Sequence, residues 1–188
     1  MTRPLRLLAL LITLLAAPLG VAAEELSASP SPRALAAIQL LKSDDLYQKQ
    51  MGFLRLEALR EAATVDAISA YLTDREPEVR AYSLRALAAV QGAGSVPVLL
   101  RALSDKHPRV RRAAVLGLEP LVATNNEILP ALIKQLKDRH PHVRMAVIDV
   151  LSRQDVARAK EAILLRRRRE HDRDVKRVLK LAVERLGK

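Results

Sequence analysis

The chain has no cysteine and no tryptophan, and only one phenylalanine and three tyrosines among its 188 residues. Without cysteine there is no disulfide, so the fold must be held by its packed core alone. So few aromatic side chains leave little to stack on bases or on a flat cofactor, which counts against nucleic acid and against a cofactor platform. No stretch alternates apolar and polar residues as a half-buried strand would, and this excludes a β fold. No His-x-x-x-His or His-Glu pair occurs, and the four histidines therefore give no recognisable metal site. The serines have no histidine at a spacing that suggests nucleophilic catalysis. No catalytic residue, metal or cofactor is expected, and the chain reads as a non-enzyme.

What is present begins with a leader. Arg3 and Arg6 precede an apolar run over residues 7–15, Pro18 and Gly20 break it, and Val21-Ala22-Ala23 supplies small residues before Glu24-Glu25. This pattern predicts a secretory signal peptide over residues 1–23, too short and wrongly flanked to span a membrane. No cysteine stands at the cleavage site to carry a lipid anchor. The expected location is periplasmic or secreted. Losing Arg3 and Arg6 would take the formal charge from +11 to +9. Residues 24–32, with Pro30 and Pro32, read as a linker, and residues 33–187 as one domain.

Within that domain a phrase recurs. Asp74-Arg75-Glu76-Pro77-Glu78-Val79-Arg80, Asp105-Lys106-His107-Pro108-Arg109-Val110-Arg111 and Asp138-Arg139-His140-Pro141-His142-Val143-Arg144 share the pattern Asp-x-x-Pro-x-Val-Arg, with the valines 31 and 33 residues apart. A period of this length marks a stacked-repeat architecture. Between the copies, apolar residues recur at helical spacing, as in Leu35, Ile38 and Leu41, or Leu84, Leu87 and Val90. They predict about five stacked helical hairpins, an all-α solenoid. No hairpin can bury its apolar stripe alone, and stacking buries it at roughly 1.5–3 kcal/mol per Leu, Ile or Val. In the repeated phrase the aspartate accepts backbone N–H bonds at the turn, the proline suits the first helical turn and the valine enters the core. The arginine is placed to reach the aspartate of a neighbouring hairpin. Asp74, Arg80, Asp105, Arg111, Asp138 and Arg144 are thus expected to form a ladder.

These features resemble a HEAT-repeat protein, of the short variety found in the phycobilisome-lyase-like group. The resemblance rests on the Val-Arg signature opening each second helix and on Pro97 and Pro130 as mid-helix prolines of first helices. It is strongest over residues 64–153. The first unit departs from it, with Met51-Gly52 at the expected Val-Arg position, and so does the last, with Asp172-Arg173-Asp174-Val175-Lys176. The His-Glu pairs of HEAT-like hydroxylases and the aromatic side chains of HEAT-like glycosylases are absent. The resemblance implies that second helices line a concave face. Positions two and six beyond each motif valine then point outward from it. These are Ala81 and Arg85, Arg112 and Leu116, Met145 and Asp149.

Arg85, Arg112, Leu116, Met145 and Asp149 are accordingly the expected contacts for a protein partner, whose identity the sequence does not give. Arg, Leu and Met are residue types that interfaces use. Arg166, Arg167, Arg168 and Arg169 form the densest charge and are candidates for binding anions, on a membrane surface, an acidic polymer or nucleic acid, although cations also suit a helix C-terminus. The leading expectation is an exported, non-catalytic scaffold. A basic anion-binding module is the alternative, and a HEAT-like lyase the weaker one.

Overall fold

The computed structural model describes residues 29–154 and 157–187. The signal peptide expected at 1–23 and most of the linker expected at 24–32 lie outside the described residues. The described residues form five helical hairpins with no strand: α1 (Pro32–Leu41) with α2 (Leu46–Leu59), α3 (Val65–Ser69) with α4 (Pro77–Gln91), α5 (Val96–Ala102) with α6 (Pro108–Leu118), α7 (Ile128–Gln135) with α8 (Pro141–Ser152), and α9 (Ala157–Arg169) with α10 (Arg173–Leu186). Each second helix packs on the next, so α2, α4, α6, α8 and α10 run as one layer along the stack. The molecule is an α-solenoid.

Local chemistry sets the helix ends. Proline opens α1, α4, α6 and α8, where its missing N–H costs nothing and its fixed φ is already helical. Ser31 caps α1, and its N–H and hydroxyl donate to Glu61 at 2.8 and 2.6 Å. Helix α2 ends at Leu59, closed by Arg60 in the left-handed conformation with φ 55°. Pro97 and Pro130 stand in the first turns of α5 and α7, not in mid-helix. The first helices α3, α5 and α7 span only 5, 7 and 8 residues. Helices this short are not stable alone, so burial of Ile68, Leu99 and Leu132 against the neighbouring helices must hold them.

The core falls into two clusters. One joins α1 to α4 through Ala34, Leu41, Phe53, Leu56, Ile68 and Leu87. The other runs on to α10 through Leu99, Leu118, Leu132, Ile148, Ile163 and Leu179, and Leu72 and Val98 pack against both. Glycine matters where α1 meets α2. A Cβ at Gly52 would lie 2.7 Å from Leu41 Cδ2 and 2.9 Å from the Ala37 carbonyl oxygen. Gly52→Ala is therefore expected to push the two helices apart and lower stability by about 1–3 kcal/mol in urea denaturation. An unchanged midpoint would mean that α1 can move away without cost.

The repeated phrase forms a ladder between hairpins. The Arg80 guanidinium meets the Asp105 carboxylate with two hydrogen bonds, Nε at 3.1 Å and Nη2 at 2.9 Å. Arg111 meets Asp138 in the same way at 2.6 and 2.8 Å. Each arginine also staples its own turn, as Arg111 Nη1 does by donating to the carbonyls of Asp105 and Lys106. Side-chain exposure is only 5% for Arg111 and 4% for Asp138. Burial would raise the Asp138 carboxyl, but hydrogen bonds from Arg111 and the His140 N–H outweigh it and hold it below its ordinary value. Asp105 is lowered against burial by Arg80 and the His107 N–H.

The ladder extends beyond the three copies, in a register that differs from the one expected at the ends. Arg144 donates to both carboxylate oxygens of Glu170 at 2.9 Å. Glu170 stands five residues before Val175, the spacing that Asp105 keeps from Val110. Glu170 therefore occupies the position expected for Asp172, which instead caps α10 by accepting from the Asp174 and Val175 N–H groups. At the other end Lys49, not Met51-Gly52, takes the arginine position, with Nζ 3.9 Å from Asp74. Ser43 takes the aspartate position there and accepts from the Asp45 N–H. The five copies thus begin at Ser43, Asp74, Asp105, Asp138 and Glu170, at intervals of 31, 31, 33 and 32 residues.

Candidate functional site

The face made by the second helices carries two adjoining grooves. The larger, about 880 Å³, lies along α6, α8 and α10. Helix α6 contributes Arg112 and Leu116, one turn apart, and α8 contributes Met145 and Asp149 in the same relation. The structure thus brings four of the five expected contact residues to one groove. A smaller groove of about 450 Å³ continues it between α4 and α6, lined by Ala81 and Arg85 together with Arg112 and Leu116. Arg112 and Leu116 belong to both.

The sequence reading left out the third wall. Val178, Leu181, Ala182 and Arg185 of α10 close the larger groove, and Leu181 is 57% exposed. The same outward positions exist on α10, but its missing motif proline and displaced aspartate hid the register. His107, His140 and His142 form the rim at the helix N-termini. His107 and His140 cap α6 and α8, their Nδ1 atoms accepting the N–H of Arg109 and His142 at 3.3 Å. An accepting Nδ1 carries no proton, which leaves Nε2–H as the donor of each ring.

Most charges on this face are already paired, and this changes the standing of two expected contacts. Arg85 is bound to Glu57 of the preceding second helix at 3.2 Å. Arg109 is bound to Glu78 in the same manner at 3.3 Å. Asp149 is held by Arg153 and by Arg185, whose Nη1 also donates to Ser152 Oγ at 2.6 Å. Asp149 is therefore a clasp between α8 and α10, with little capacity left for a partner. Among the described residues Arg112 is the one groove-lining arginine without an ion pair. Three arginines against one aspartate leave the larger groove with an excess of positive charge. The N-terminal dipoles of α6 and α8 add to that sign at the histidine rim.

The run at 166–169 is divided. Arg166 turns back onto Glu170, while Arg167, Arg168 and Arg169 at the end of α9 are exposed. Glu170 is buried and shared with Arg144, and within the run it pairs with Arg166.

Fold and face together define a helical repeat protein built as an α-solenoid. Over part of its length the chain is similar to HEAT repeats. A family model for HEAT repeats matches residues 65–121, and one for a HEAT-like repeat matches residues 108–153. These stretches hold the three complete copies of the Asp-x-x-Pro-x-Val-Arg phrase. Among solved structures, the complex of CpcE and CpcF of phycocyanin lyase from Nostoc sp. PCC7120 contains a similar chain, with TM-score 0.66 and 23% identity over 79% of this chain and 96% of that one. A designed armadillo repeat protein in complex with the peptide (KR)4 is similar at TM-score 0.55 and 16% identity, over 88% of this chain and 83% of that one. An engineered protein is similar at TM-score 0.55 and 18% identity, over 88% and 90%. At these identities the likeness is one of fold. No curated protein matches the chain in sequence.

Proposed function

We propose that the chain is an exported, non-catalytic scaffold whose second-helix face binds an extended, acidic segment of another protein. The observation that carries this reading is the 880 Å³ groove in which unpaired Arg112 stands beside Leu116, Met145 and Leu181. Its volume is that of a ligand site, and it offers apolar contact next to one free guanidinium. Export rests on the leader pattern of residues 1–23. A non-catalytic role is supported by the hydrogen bonds in the groove. Ser152 donates to the Asp149 carbonyl, and two of the three histidines spend Nδ1 on helix caps.

The relatives of similar fold support a protein or peptide ligand. One is a complex of two proteins and another holds the basic peptide (KR)4. Here the charge has the opposite sign, so the expected ligand is acidic. The test is fluorescence anisotropy with labelled peptides of alternating Glu and Leu, or of alternating Lys and Leu. The Glu-Leu peptide is expected to bind and the Lys-Leu peptide to fail. Arg112→Glu should weaken the former by about tenfold or more, equivalent to ~1.4 kcal/mol. Equal binding of both peptides, or indifference to Arg112→Glu, would sink the proposal.

A further inference from the structure

We propose that the last hairpin is a second interaction surface, which docks the protein on an anionic phospholipid bilayer. The observation is where the charge sits. Residues 157–187 hold eleven basic against five acidic residues, a formal +6 of the chain's +11. Residues 24–156 hold eighteen against sixteen, only +2. The basic excess is therefore a property of one end of the stack.

Pairing within the fold does not consume it. Arg166 is taken by Glu170 and Arg185 by Asp149, while Lys160 Nζ donates to the Leu186 carbonyl. Two of the five acids are occupied as well, since Glu170 is buried under Arg144 and Asp172 caps α10. Arg167, Arg168, Arg169, Arg173, Arg177 and Lys180 are all exposed and without an ion pair among the described residues. Lys176 is the cation of the fifth motif copy, exposed and with no described hairpin beyond it to supply an acid. At the opposite end, where no described hairpin precedes, the open ladder position is neutral Ser43. The ladder position at one end of the described stack is neutral, whereas cations are concentrated at the other.

Apolar groups decide which polyanion fits. Leu164 and Leu165 are 39% and 51% exposed on α9, directly before the arginine run, while Ala159 and Ile163 turn to the core. Exposed leucines flanked by arginines match the headgroup–acyl boundary of a bilayer, where the leucines enter and the guanidinium groups stay among the phosphates. Nucleic acid offers the leucines nothing, and residues 157–187 contain no aromatic side chain for bases to stack on. Leu164, Leu165, Arg167, Arg168 and Arg169 all belong to α9, which lines neither groove of the second-helix face.

Co-sedimentation of the full chain with vesicles tests this. Phosphatidylcholine vesicles measure any contribution of the apolar run at residues 7–15. Vesicles with a third of the lipid replaced by phosphatidylglycerol measure the hairpin by difference. The anionic vesicles should bind more tightly, and the gap should close at high salt. Arg167→Gln, Arg168→Gln, Arg177→Gln and Lys180→Gln combined should remove the preference by on the order of a hundredfold or more, at about fivefold per cation. Replacing the same three arginines with lysine should preserve it. Leu164→Ser with Leu165→Ser should weaken binding severalfold without changing its salt dependence. No anionic preference in the wild type, or a preference that survives the four glutamines, would overturn the proposal. So would a single-stranded DNA probe that binds more tightly than the anionic vesicles at equal ionic strength.

Discussion

Arg111→Ala is expected to be the most damaging single substitution in the chain, lowering stability by about 3–5 kcal/mol. The loss is large because the partner stays behind. Asp138 would keep its charge in a site that is 4% exposed, with only the His140 N–H left to solvate it. The carbonyls of Asp105 and Lys106 would lose their donor at the same time. For a chain of this size the thermal midpoint should fall by roughly 10 °C. Arg111→Lys should recover only part of this, because an ammonium cannot span two carboxylate oxygens and two carbonyls at once. Arg85→Ala breaks an exposed pair instead and should cost about 1 kcal/mol or less. Equal midpoints for Arg111→Ala and Arg85→Ala would mean that the ladder does not hold the stack together.

Acid should open the last rung through Glu170. Burial alone would raise its carboxyl, but hydrogen bonds from Arg144, the Asp172 N–H and Arg166 overcome that and lower it to about 2, from an ordinary 4.5. A carboxyl depressed in the folded state binds its proton more readily when unfolded. Its contribution is therefore present in full above about pH 4.5 and is lost as pH falls toward 2. The gap corresponds to roughly 3 kcal/mol. Glu170→Gln should destabilise the protein by about that amount at neutral pH, and the difference from wild type should vanish near pH 2. Thermal midpoints recorded across this range check both statements. Asp105 and Asp138, lowered in the same sense, should add to the loss of stability in acid. A Glu170→Gln deficit that persisted at pH 2 would trace the loss to packing instead of charge.

The central part of the fold was legible from the chain. Three copies of one phrase at a near-constant period state the architecture, because hairpins that repeat in sequence must stack in space to bury their stripes. The outward positions Arg112, Leu116 and Met145 followed from helical spacing once the family resemblance had put the second helices on the exposed face, since the phase of a helix is a local property. The ends were misread for a specific reason. With the proline gone, Asp172 stood out as the nearest acid to Val175. Counting five residues back from that valine, as in the other copies, gives Glu170. The same count places Lys49 and Ser43 in the first unit, against the choice of Met51-Gly52.

The sequence by itself determined which residues share a face: the buried Val79, Val110 and Val143, the arginine beside each, and the outward pair one turn apart. These depend on 3.6-residue periodicity and on capping chemistry within a single hairpin. Only the tertiary structure decided which charges remain free. Asp149 and Arg112 are equivalent outward candidates in the sequence. In the fold one is clasped by Arg153 and Arg185, and the other is left without a partner among the described residues. The same holds for Glu170, which is buried beneath Arg144, and for the α10 residues that close the groove. Pairing is set by how adjacent hairpins are displaced and rotated against each other. That displacement comes from the sum of core contacts between units and is written in no single one of them.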